Sequence, residues 1–127
     1  MSESRILIES ESAAIGMAQL AENVGLDNNG VLMPLLAVGT PLPAEAMQVM
    51  STGSDEQSTI AIDLYRGNRM MAKDGTFLGR FAAAGFELAP AGIPQIGFCI
   101  TVEGTSLWLS VTDERAGLPL RVEREFR

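Results

Sequence analysis

The chain contains no histidine, which removes both the usual general base near neutral pH and the commonest metal ligand. Most hydrolase triads are excluded with it. The one thiol, Cys99, alternates with the apolar Phe98 and Ile100 and has no imidazole to activate it, so it reads as structural. Carboxylates are the remaining acid–base device. Asp55 and Glu56 form the densest acidic cluster away from the termini, but neighbouring acids in a polar loop are ordinarily just solvated. Neither GTPLP at residues 39–43 nor GSDEQ at 53–57 has the glycine and lysine spacing that cradles a phosphate. The residue types point to no catalytic group, no metal and no cofactor, and the chain reads as a protein that is not an enzyme.

Binding chemistry is what remains, and charge narrows it. A formal charge of −7 argues against nucleic acid, whose affinity for proteins comes from clustered lysine and arginine. The local basic excess of Arg66, Arg69, Lys73 and Arg80 reads as ordinary solvated surface. Aromatic residues make up only 6% of the chain, too few for a stacking platform. Trp108 is the exception: it points away from Leu107 and Leu109, as an interface anchor or as an outer ring lying on its neighbours. The longest apolar run, residues 31–38, is broken by Pro34 and is far short of the ~20 residues that span a bilayer. The polar, acidic start Met1-Ser2-Glu3-Ser4 does not resemble a secretory leader. With a single cysteine there is no disulfide framework, so a cytoplasmic protein is expected.

The elements that must position any binding site are strands. Ile60, Ile62 and Leu64 fall on one face, as do Ile96, Phe98, Ile100 and Val102, and then Leu107, Leu109 and Val111. Between such segments stand Asn29-Gly30, Asp74-Gly75, Glu103-Gly104 and Ala116-Gly117, which supply hairpin turns. The pattern predicts strands at 14–20, 31–37, 44–51, 59–66, 77–83, 96–102, 107–112 and 120–124, with residues 84–95 as a long connection. Pro34 belongs on an edge strand or a bulge. Residues 13–23 are rich enough in alanine to compete as a helix, but Gly16 weakens that alternative. About eight short strands imply an all-β antiparallel sandwich. Its expected core is Ile60, Ile62, Leu64, Phe81, Ile96, Phe98, Ile100, Leu107, Leu109 and Val111.

From Gly30 to Ile96 the chain also resembles a known family. VMSTGSDEQSTIAI at 49–62, RG at 66–67, FLGRF at 77–81 and APAGIPQI at 89–96 are similar, in that order, to the peptide-binding β-sandwich of the seventy-kilodalton heat-shock chaperones of the DnaK type. The resemblance implies binding of extended, apolar segments of unfolded or partner proteins. Loops at one end hold the peptide, and one apolar side chain enters a central pocket. By position, Met17, Gln19, Met50, Ile60, Ile62 and Ile96 match the pocket, and Ser51 and Gln57 match polar residues beside the peptide. Leu20 and Gly53 fall where two side chains arch over it. Flexible Met17 and Met50 suit a pocket that repacks around different side chains.

Departures from the family matter equally. The chain shows neither the ATP-hydrolysing domain nor the helical lid, so binding is expected to be independent of ATP. Ala91 replaces an arginine that latches the lid, opposite the acidic Asp55. Residues 21–29 lengthen the first substrate-side loop. Residues 1–10 read as a tail or linker-like segment, and 11–127 as the sandwich. Ile6, Leu7, Ile8 and Glu9 resemble the linker that docks on the family's ATPase domain, and equally suit a first edge strand. The competing function is a protein–protein interaction or self-assembly module that keeps the sandwich without binding client peptides.

Overall fold

Apolar residues at every second position turn one face of each strand toward a common core. In the computed structural model, which describes residues 5–125, this patterning produces ten strands in two antiparallel sheets. They are β1 (Arg5–Glu9), β2 (Asn23–Asn28), β3 (Val31–Leu36), β4 (Glu45–Met50), β5 (Thr59–Gly67), β6 (Thr76–Ala84), β7 (Ile96–Glu103), β8 (Ser106–Asp113), β9 (Leu118–Pro119) and β10 (Arg121–Glu125). One sheet runs β1-β8-β7-β4, with β9 also on β8, and the other runs β10-β6-β5-β2-β3. Among the described residues no helix is long and apolar enough to cross a membrane.

The inner faces meet in a continuous apolar core. All ten residues expected there are buried, with Phe81, Leu64, Ile96, Phe98, Ile100, Leu107, Leu109 and Val111 fully so. Val24, Leu26, Leu36, Phe86 and Leu120 complete it.

Two parts of the strand map need correction. Residues 14–20 do not form a strand. They make a tight reversal in which Ile15 bridges Leu20 and the Gly16 N–H donates to the Gln19 carbonyl at 2.9 Å. The strand lies instead at Asn23–Asn28, within the stretch 21–29 expected as a loop, and pairs with β3 on one side and β5 on the other. Gly25 makes this possible. A Cβ there would fall 1.9 Å from the Met33 carbonyl oxygen, so only glycine lets β2 close on the bulge in β3. Gly25→Ala is therefore expected to destabilise the fold by ~1–3 kcal/mol, the scale of overpacking, as a lower urea midpoint. An unchanged midpoint would show that β2 does not pack this way.

The linker-like segment is, from Arg5 to Glu9, an edge strand on β8. Ile8 is buried in the core and Ile6 packs against it, leaving Leu7 facing solvent. Met1 to Ser4 lie outside the described residues. Arg66 ties β1 and the residue preceding β2 to β5: its guanidinium donates to both carboxylate oxygens of Glu9, at 3.0 and 3.3 Å from Nε, and to Glu22 at 2.9 Å. Burial opposes the Arg66 charge, but the hydrogen bonds and charges of the two glutamates outweigh it and hold its pKa above the ordinary arginine value.

Candidate functional site

Two long loops leave the same end of the sandwich. The first, residues 51–58, joins the end of β4 to the start of β5. The second, residues 85–95, joins the end of β6 to the start of β7. They are laced together. The Ser51 hydroxyl donates to the Pro94 carbonyl, and the Gly92 N–H donates to the Thr52 carbonyl at 3.0 Å. Asp55 Oδ1 accepts from the Ala91 N–H at 2.9 Å, and the Glu56 N–H donates to the Ala89 carbonyl at 3.0 Å. Asp55, expected opposite position 91, where the family's latch arginine is replaced by Ala91, does stand against Ala91 and caps the neighbouring loop. Its partner is a backbone N–H, so alanine at 91 loses nothing here.

Gln57 holds the first loop in shape. Its side-chain oxygen accepts from the Gly53 and Ser54 N–H groups at 3.1 and 3.2 Å, while its amide donates to the Thr59 carbonyl at 2.7 Å. Gly53 stands at the exposed turn with open space where a Cβ would go. Beneath the loops, half-buried Met50 pairs with fully buried Ile96, and Ile60 and Ile62 enter the core from β5, each 4% exposed. Met50, Ser51, Gly53, Gln57, Ile60, Ile62 and Ile96 are therefore gathered at one end.

The other three expected residues are elsewhere. Met17, Gln19 and Leu20 belong to the reversal at the opposite end, where Leu42 donates its N–H to Ala18 and Gln19 bridges Pro41. Met17 is fully exposed on the rim of an apolar groove of about 670 Å³, between Leu42, Pro43, Val102 and Gly104. Leu20 is wholly buried and its N–H donates to Thr40, so it arches over nothing.

The strand found at Asn23–Asn28 explains the difference. The β2–β3 hairpin, with Asn29-Gly30 at its tip and the Gly30 N–H donating to Asp27 at 2.7 Å, takes the place assigned to 14–20. Pairing between β2 and β5 covers only Asn23–Leu26 against Leu64–Gly67. Beyond it, among the described residues, Thr59 to Ile62 have a strand partner on the β6 side alone. The β2–β5 ladder thus ends before the start of β5, and the buried Ile60 and Ile62 stand on this stretch paired on one side only. The Asn-Gly turn flanked by Val24, Leu26 and Leu32 was the available signal for this hairpin.

Trp108 does face outward, but it is half-buried. The Arg5 guanidinium lies 4.2 Å from the ring centroid while also pairing with Glu103, which it holds below the usual carboxylate pKa range. Cys99 is a half-buried free thiol mid-strand. Among the described residues no cluster of carboxylates and cysteine could hold a metal.

Comparison with known proteins places residues 20–117 within the model of the Hsp70 protein family. The chaperone protein DnaK of Mycoplasmopsis synoviae is 46% identical over 77 residues, covering 59% of this chain and 13% of that protein. The DnaK of Mesomycoplasma hyopneumoniae is 38% identical over 90 residues, covering 69% of this chain and 15% of the relative. A heat shock 70 kDa protein of Oryza sativa subsp. japonica is 36% identical over 101 residues, covering 78% and 15%. The chain thus spans only about one-seventh of the length of these relatives.

Proposed function

The chain belongs to the Hsp70 family, and on that premise we propose that the loop-bearing end of its sandwich binds extended, apolar peptide segments of unfolded or partner proteins without a nucleotide. The end of the β2–β5 ladder at Leu26 and Leu64 supports this most directly. It leaves backbone at Thr59 to Ile62 beside buried Ile60 and Ile62, so main-chain bonds would supply sequence-tolerant affinity and the apolar floor a preference. Met50 adapts that floor, being half-buried and unbranched. In this reading exposed Ser51 and the Gln57-braced turn would border the peptide on one side and the β2–β3 hairpin on the other. The turn at Gly53 carries no side chain, so the peptide would be covered on that side by nothing but backbone.

A fluorescent, leucine-centred peptide titrated with this chain is expected to bind in the micromolar range or weaker, at most about −8 kcal/mol, and to exchange fast. Added ATP is expected to change neither rate nor affinity. If a panel of such peptides shows no binding up to millimolar chain, the interaction-module alternative replaces this proposal.

A further inference from the structure

The sandwich has four long strands at its sheet edges, and three are guarded. β10 (RVERE) is charged at four of five positions. β1 carries Arg5 and Glu9 and a bulge between Leu7 and Glu9, and its Leu7 and Ile8 carbonyls are occupied by Arg124. β3 is covered at Leu32, whose N–H donates to the Met70 carbonyl at 2.9 Å. Two residues on, at the next outward-facing position, stands Pro34, which has no N–H. Charges, bulges, prolines and covering loops are the devices by which proteins prevent unwanted edge pairing.

β4 has almost none of them. After Glu45 it reads Ala46-Met47-Gln48-Val49-Met50, without charge, proline or glycine, and Met47 and Val49 are 50% and 39% exposed. The Ala44 carbonyl accepts the Val102 N–H at 2.9 Å, which sets the alternation: Ala46, Gln48 and Met50 turn their backbone groups to β7, and Glu45, Met47 and Val49 turn theirs outward. Among the described residues no strand lies across from this outward side. The Val49 carbonyl takes only a long 3.3 Å bond from the Gln48 side chain.

We propose that β4 pairs antiparallel with β4 of a second copy of this chain, about a two-fold axis at Gln48, joining two sheets into one. The sequence is self-complementary in that register. Met47 falls opposite the second copy's Val49, with both residues facing outward, so the two such pairs exchange four backbone hydrogen bonds and bury apolar side chains against each other. The two Gln48 amides meet on the axis and can bond to one another. Glu45 falls opposite Ser51, so no like charges oppose. A two-fold interface requires this kind of self-matching patch. It concerns the strand edge alone and stands whether or not the loops bind peptide.

The test is the solution mass of the chain by sedimentation across micromolar to millimolar concentration. A monomer–dimer equilibrium is expected. Met47→Pro removes an outward N–H without touching the β7 ladder, and Gln48→Lys sets two ammonium groups together on the axis. Each is expected to weaken the dimer at least tenfold while the thermal melt shows a folded monomer. Trp108→Ala is expected to leave the dimer intact. In a Cys99→Ser background, Gln48→Cys is expected to form a disulfide-linked dimer under mild oxidation, and Arg121→Cys is not. If both β4 variants unfold, the cross-linking pair decides. A monomer at every concentration, a dimer unchanged in folded β4 variants, dissociation by Trp108→Ala, or equal cross-linking at 121 would each overturn the proposal.

Discussion

Replacing Phe98 with alanine is expected to cost about 3–5 kcal/mol, a large share of the 5–15 kcal/mol that holds a domain of this size together. Phe98 is fully buried on β7, between Val111 of β8 and Gln48 of β4, so its ring fills the middle of the first sheet's inner face. Truncation removes the transfer energy of the ring and leaves a cavity that the flanking strands, held in the sheet, cannot close. The measurement is urea unfolding, read as a lower midpoint at unchanged slope. A loss below about 1 kcal/mol would mean that the ring is not a core residue and that the pairing of β7 is wrong.

The second large effect is on binding. Ile60→Phe is expected to lower affinity for a leucine-centred peptide at least tenfold, because the larger ring occupies the space beside β5 that a peptide side chain would enter. Ile60 is 4% exposed beneath the loops, so the substitution also carries an overpacking cost of ~1–3 kcal/mol. A thermal melt must show that the variant is folded before its affinity is read. Parent-like binding by a folded variant would place the peptide elsewhere on the chain. No binding by the parent would instead remove peptide binding altogether, so the two failures are distinguishable.

Residue spacing alone determined much of this protein. Period-2 alternation in β5, β7 and β8 told which residues face inward, because a strand's side chains alternate by geometry whatever lies across from it. The same local continuity brought Met50, Ser51, Gly53 and Gln57 together with Ile60 and Ile62, since they share one stretch of chain. The absence of histidine likewise bounded the chemistry before any fold was known. Asn23–Asn28 was not legible in this way. Asn, Gly and Asp are poor strand formers, and this segment is extended because β3 and β5 pair with it on both sides. β5 comes from a distant part of the chain, so no local pattern reports that pairing; the Asn29-Gly30 turn reported only the pairing with β3, and the more apolar 14–20 outweighed it. Met17, Gln19 and Leu20 were misplaced for the same reason. Only the tertiary structure decided that they stand at the opposite end, that Asp55 braces a loop, and which sheet edge is left open. Edge exposure depends on what the rest of the chain lays alongside a strand: Met70 covers β3 and Arg124 covers β1, while nothing among the described residues covers β4.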